Sequence, residues 1–269
     1  MRKYSLFLMI GCMLLTAACS TRRSAPGSGV QLKVMSYNIH HANPPSKPDQ
    51  IDLKAIAAVI AAENPDVVAL QEVDVHTNRS GKIDQAAELA KMLKMEVFFA
   101  RAIDYDEGQY GVAILSRLPM KNNEVTRLTT REGTKGEPRI LATTVLRLPG
   151  GRQVRFGSTH LDAQRDETNR LLQAKELADA GSAEKLPFIL AGDWNARPGS
   201  EPVRIIDQVF TRTCSDCDLT VPAVNPRSTI DFIAYTKSSP WEVVSHKVIP
   251  ERYASDHLPV VSVLRLPAK

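Results

Sequence analysis

Apolar and polar positions follow two periods along the 269-residue chain. Residues 31–38 (QLKVMSYN) alternate every second position and end polar, which predicts a strand. Residues 52–63 (DLKAIAAVIAAE) carry helical apolar spacing behind an Asp, a helix start. Further runs at 66–70, 97–100, 111–116, 140–148, 153–158, 186–191, 230–235, 241–248 and 258–266 read as strands. Residues 84–94, 168–180 and 201–209 read as helices. Between 111 and 158 the strand runs follow one another without a helix, and parallel neighbours would need a crossover there. Part of the sheet is therefore expected to be antiparallel, which argues against a Rossmann layout. No repeat or interior linker breaks the pattern, so one mixed α/β domain over residues 30–269 is the simplest account.

The N-terminus follows a different rule. Arg2 and Lys3 precede an apolar run from Leu6 to Leu15 and the small residues Thr16-Ala17-Ala18. This is the layout of a secretory signal, assigned to residues 1–18, and the apolar run is short for a membrane span. The sequence around Cys19 resembles a bacterial lipobox, which implies a lipid-modified Cys19 at a membrane surface outside the cytoplasm. Plain cleavage and secretion is the rival. Residues 19–29, polar with Pro and Gly, read as a tether.

Composition excludes a disordered or collagen-like chain: 43% of residues are hydrophobic and 24% charged. The formal charge is +4, and without Arg2 and Lys3 it drops to about +2. That balance gives no support to a tight nucleic-acid binder. Cys214 and Cys217 form a lone C-x-x-C without a second ligand pair. Outside the cytoplasm a local disulfide or two spectator thiols is expected.

Candidate chemistry sits where strands end. Asn38 and His40, Glu72, His160, Asp193 and Asn195, Asp231, and Asp256 with His257 all lie at or beside strand ends, and such ends meet along one rim of a sheet. Positions i and i+2 of a strand share a side, so Asn38 would face with His40, and Asp193 with Asn195, if those strands continue. Glu72 with Asp256 and the amide of Asn38 offers hard oxygen donors suited to Mg²⁺. His160 and His257 would donate to phosphate oxygens when charged, and a buried Asp231 would orient an imidazole and raise its pKa. His40, His41, His160 and His257 lack the short spacing of a helical zinc motif. No G-x-S-x-G turn, P-loop or G-x-G-x-x-G is present.

Eight pieces in order, SYNIH, LQEVD, YGVAILSRLP, EPRILA, STHLD, GDWNA, TIDFI and SDHLPV, resemble the endonuclease/exonuclease/phosphatase superfamily from Met35 to Val263. The resemblance implies a four-layer α/β sandwich, two mixed sheets face to face with helices outside. It implies hydrolysis of phosphate esters with Mg²⁺, or Mn²⁺ in some members. Carried over, Glu72 is the main metal ligand, Asn38 a metal-site or phosphate-contact amide, and Asp256 a metal-side carboxylate. Asp193 and Asn195 match the pair that orients the attacking water. His257 with its partner Asp231, His160 and Arg139 match phosphate-side groups. His40 stands where abasic-site nucleases of the family carry an acid, which weakens the repair-enzyme reading. Trp194 lies in a site motif and Trp241 follows Pro240, so no paired aromatic membrane tip is evident. The expected function is a phosphodiesterase or phosphatase outside the cytoplasm, a monomer acting on a lipid head group, nucleotide or nucleic acid. A secreted non-specific nuclease and a catalytically inactive surface lipoprotein are the alternatives.

Overall fold

Strand β1 (Val30–Asn38) buries both of its faces: Leu32 and Val34 point into one apolar cluster, Met35 and Tyr37 into another. A strand covered on both sides needs a layer above and below it. The computed structural model describes residues 29–268, so the residues expected to form an export signal, with Cys12 and Cys19, and all of the expected tether but Gly29 lie outside the described residues. After β1 the chain adds β2 (Val67–Val75), β3 (Glu96–Tyr105) and β4 (Gly108–Ser116) to one sheet. It then builds a second sheet from β5 (Met120–Arg127), β6 (Ile140–Arg147), β7 (Gln153–His160), β8 (Phe188–Asp193), β9 (Phe210–Arg212) and β10 (Asp231–Thr236). Finally β11 (Glu242–Val248) and β12 (Val260–Leu266) return to the first sheet. The orders are β11-β12-β1-β2-β4-β3 and β5-β6-β7-β8-β10-β9. β1 pairs with β2, and β7 with β8, in parallel; β5-β6-β7 are antiparallel, as the missing helices between residues 111 and 158 require.

The inner faces interlock through Val34, Ala69, Ile114, Phe156, Ile189 and Ile233. Helices α1 (Leu53–Glu63) and α2 (Gln85–Leu93) cover the first sheet, and α3 (Thr168–Ala183) and α4 (Glu201–Ile206) the second. This is the expected four-layer sandwich of two mixed sheets. α1 forms because Leu53, Ile56, Ala57 and Ile60 fall on one face and Asp52 accepts from the Ala55 N–H at 3.0 Å. It stops at Asn64, which turns left-handed and bonds back to the last carbonyls. α2 repeats the device with Asp84 at its start and Lys94 at its end. No helix among the described residues is long and apolar enough to cross a membrane.

Several elements depart from the sequence expectations for identifiable reasons. β5 (MKNNEVTR) is an edge strand exposed along nearly its whole length, so it carries no core alternation. β9 has only 3 residues, too short for a period. β3 and β4 are joined at Asp106-Glu107, both left-handed, a two-residue turn without the usual Asn-Gly signal. β2 does not stop at Leu70. It passes through a register shift between Leu70 and Val73 and resumes pairing with β4 through Val75.

Candidate active site

The two parallel pairs point their C-terminal ends at each other. Asn38 and Glu72 come from β1 and β2, His160 and Asp193 from β7 and β8. Asn38 is fully buried and ties the sheets together, donating to Glu72 Oε1 and Asp193 Oδ2, each at 3.1 Å. Its own Oδ1 accepts from the His40 N–H at 3.1 Å. Below them Gln71 reaches Ser158 Oγ at 3.3 Å. Gly192 is required here, because a Cβ would run into the Thr159 carbonyl of the neighbouring strand.

The bulge in β2 has a purpose at Glu72, which sits at φ 56°. A left-handed non-glycine residue costs about 1–3 kcal/mol and is characteristic of functional sites. His40, His41 and Ala42 are left-handed too, and the turn brings His41 Nδ1 to 3.8 Å from Glu72 Oε2. Burial alone would raise the Glu72 carboxyl, but His41, His160, Asn38 and His40 outweigh it and hold the group well below the usual carboxylate range. His40 Nδ1 lies 2.9 Å from the Asn43 carbonyl and 4.0 Å from Asp256 Oδ1.

Asp193 is at the centre. His160 Nε2 lies 3.6 Å and His257 Nε2 3.8 Å from its Oδ2. His257 Nδ1 faces both oxygens of Asp231 at 3.1 and 3.0 Å, the pairing the sequence led us to expect. Burial lowers the His257 imidazolium, but the charge and hydrogen bond of Asp231, with Asp193, push it up to about 10. For Asp193 itself burial and the neighbouring Asp231 charge raise the carboxyl, and His257 opposes them.

His160 is held the opposite way. Arg139 Nη1 lies 2.9 Å from His160 Nδ1. A guanidinium only donates, so Nδ1 is the bare lone pair, the proton is on Nε2 and the ring is neutral. Burial and the Arg139 charge hold the His160 pKa well below its ordinary value. The same Nη1 is 3.1 Å from Glu137 Oε1, and Tyr110 is buried alongside. Arg139 Nε is buried without a partner among the described residues.

The i, i+2 condition is not met at either strand. β1 ends at Asn38 and β8 at Asp193. The pairs are joined instead by a side-chain oxygen accepting the N–H two residues on: Asn195 N reaches Asp193 Oδ1 at 2.8 Å, as His40 N reaches Asn38. Asn195 is left-handed, and its amide donates to the Leu161 carbonyl at 3.0 Å. Between Asp193 and Asn195, Trp194 is fully buried against Phe232 with ring centroids 4.6 Å apart, which anchors the turn. His41, Tyr110 and Glu137 join the site without having been assigned a role from sequence. Tyr110 and Glu137 were inside quoted motifs, and His41 was weighed only as a zinc ligand. Cys214 and Cys217 form a disulfide in the loop after β9, S–S 1.96 Å.

Two clusters have metal-ligand spacing, His40/His41/Glu72 and Asp193/Asp231/His257. The second is consumed by its own hydrogen bonds. The first fits a divalent cation: an ionised Glu72 with an oxygen left to the imidazoles, and the half-exposed Asp256 carboxylate beyond His40.

Residues 35–257 match the Endonuclease/Exonuclease/phosphatase family. The chain belongs to that family. The uncharacterized protein YbhP of Escherichia coli is 24% identical over 248 residues, 87% of this chain and 96% of its own length. A family member from Beutenbergia cavernae is 27% identical with a TM-score of 0.71, over 89% of this chain and 72% of that one. The mannosyl-6-phosphatase of Bacteroides thetaiotaomicron shares the fold at 20% identity and a TM-score of 0.71, over 87% and 99% of the two chains. Membership makes the chain a hydrolase of phosphate esters in a metal-dependent family.

Proposed function

We propose that this protein is a Mg²⁺-dependent phosphoric ester hydrolase, with Mn²⁺ as a substitute, that works by in-line attack of an activated water outside the cytoplasm. The observation that carries the reading is Asp193 between a neutral and a cationic imidazole, on the rim that also holds Glu72. Glu72, Asn38 and Asp256 would hold the cation, with His40 and His41 beside them; when bound it neutralises charge on a phosphoryl oxygen. Asp193 aligns a water and takes its proton as the water oxygen bonds to phosphorus and the ester P–O bond breaks on the opposite side. Its raised pKa suits a base. His257 and His160 each donate a hydrogen bond from Nε2 to a phosphoryl oxygen and keep their protons. The leaving oxygen takes its proton from a solvent water, and Asp193 returns the proton it took to solvent. The relative named mannosyl-6-phosphatase supports a phosphatase among the ester hydrolases. Export, and a lipid anchor at Cys19, rest on the N-terminal sequence alone.

The test uses p-nitrophenyl phosphate and its bis ester with Mg²⁺, with Mn²⁺ and with EDTA. EDTA should abolish release and Glu72→Gln should remove nearly all of it while the circular dichroism spectrum is kept. Full metal-independent turnover would sink the reading.

A further inference from the structure

β1 ends at Asn38, and the next turn sets two imidazoles against Glu72 at a cost in backbone strain. His40, His41 and Ala42 are left-handed in succession, at φ 46°, 41° and 59°. Such conformations persist only where the surroundings hold them. Here they are held. The buried Asn43 side chain donates to the Lys47, Pro48 and Gln50 carbonyls at 3.2, 2.8 and 2.8 Å. Gln85 Nε2 donates to the His41 carbonyl at 2.6 Å. The two rings lie side by side, centroids 4.5 Å apart, and one donor atom each from His40, His41 and Glu72 fall within 4.8 Å of one another.

Hydrogen bonds to Glu72 do not account for this arrangement. His41 Nδ1 is buried without a partner among the described residues, and its 3.8 Å to Glu72 Oε2 is too long for a hydrogen bond. A cation with bonds of roughly 2.1 Å spans donors up to about 4 Å apart, so the gap has the width of a shared ion. His40 Nδ1 lies 2.9 Å from the Asn43 carbonyl. A carbonyl only accepts, so Nδ1 carries the proton and Nε2 of the neutral ring keeps its lone pair. Ligating histidines are held in this way, the second nitrogen donating to a backbone carbonyl. The donor set is therefore two imidazoles and a carboxylate. Mg²⁺ prefers oxygen donors throughout, whereas imidazole suits first-row transition ions. We propose that His41 through Nδ1 and His40 through Nε2 are direct ligands of the cation that Glu72 holds, and that they make the centre bind Mn²⁺ more tightly than Mg²⁺. The proposal rests on the cation site of the hydrolase reading and ranks the two ions named there.

The experiment uses the two metal ions alone. Mn²⁺ binding is read from the EPR signal of the free ion, Mg²⁺ binding by competition, and ligation by electron–nuclear double resonance on Mn²⁺-loaded protein carrying ¹⁵N-histidine. The proposal expects Mn²⁺ to bind at least about tenfold more tightly than Mg²⁺, with ¹⁵N couplings from bonded imidazole. His41→Leu should cut the Mn²⁺ advantage about tenfold, leave Mg²⁺ affinity within about twofold and weaken the coupling. His40→Gln/His41→Leu should abolish the coupling. Equal affinity for the two ions, an unchanged ratio in His41→Leu, or a Mn²⁺ centre with no bonded ¹⁵N overturns the proposal. Should the variants fail to fold by circular dichroism, the labelled wild type decides alone. Ester turnover is scored separately. Nitrogen-bonded Mn²⁺ in a protein that cleaves no p-nitrophenyl ester keeps the proposal and sinks the hydrolase reading, and turnover with an all-oxygen Mn²⁺ centre does the reverse. No binding of either ion at millimolar concentration overturns both.

Discussion

His160 and His257 approach the same oxygen of Asp193 from two sides, at 3.6 and 3.8 Å, and both are buried. Behind His257 stands a carboxylate, Asp231; behind His160 stands a guanidinium, Arg139. An acceptor at Nδ1 fixes the proton there and favours the cation, whereas a donor at Nδ1 takes the lone pair and leaves the ring neutral. Near-equal geometry around Asp193 thus gives two different groups, decided one residue further out. A site with two imidazolium ions beside one carboxylate would carry more positive charge and make Asp193 a weaker base.

Removing what the two arms share should have the largest effect. Asp193→Asn is expected to lower kcat/KM about a thousandfold in steady-state assays of p-nitrophenyl phosphate. Next comes the cationic arm: Asp231→Asn should cost about a hundredfold. It should also pull the alkaline limb of kcat/KM from near pH 10 toward the ordinary histidine value of about 6.5. The sign is that of a raised pKa. The stabilisation from a charged His257 is complete below about pH 6.5 and is lost as pH rises through about 10. An unmoved limb in the variant would leave Asp231 a structural residue.

The neutral arm should respond more weakly and at the other end of the pH scale. Arg139→Met removes the donor and the charge that depress His160, so the His160 pKa rises toward its ordinary value. kcat/KM is expected to fall about tenfold, and its acid limb, set in the wild type by the raised Asp193 carboxyl, is expected to move to lower pH as a more readily charged His160 favours the Asp193 carboxylate. Arg139→Lys keeps the charge and should suppress that shift. The smallest effect belongs to a region outside both arms. Cys214→Ser/Cys217→Ser should leave kcat/KM unchanged and lower thermal stability by at most about 2 kcal/mol, read by calorimetry.

The His257–Asp231 arm was legible in the sequence, because a carboxylate inside the apolar run IDFIAY calls for a partner. The His160–Arg139 arm was not. The two residues are 21 apart, Arg139 just before β6 and His160 at the end of β7, and only the register of β6 against β7 brings them together. Arg139 matched a phosphate contact, and its bond to His160 is a tertiary fact. The same holds for the fold. Buried strands such as β1 and β8 are written in their apolar runs, whereas exposed β5 and three-residue β9 carry no such signal. The bulge that turns Glu72 out depends on how β2 pairs with β4, which a local pattern does not record.

The most direct test is the protonation of the two rings, read from ¹⁵N-labelled histidine by long-range ¹H–¹⁵N correlation at pH 7–9, assigned with His160→Gln and His257→Gln variants. The account predicts a neutral His160 carrying its proton on Nε2, with a bare Nδ1, and a His257 protonated on both nitrogens across that range. A His160 proton on Nδ1, or two rings that titrate alike near the ordinary value, would contradict it.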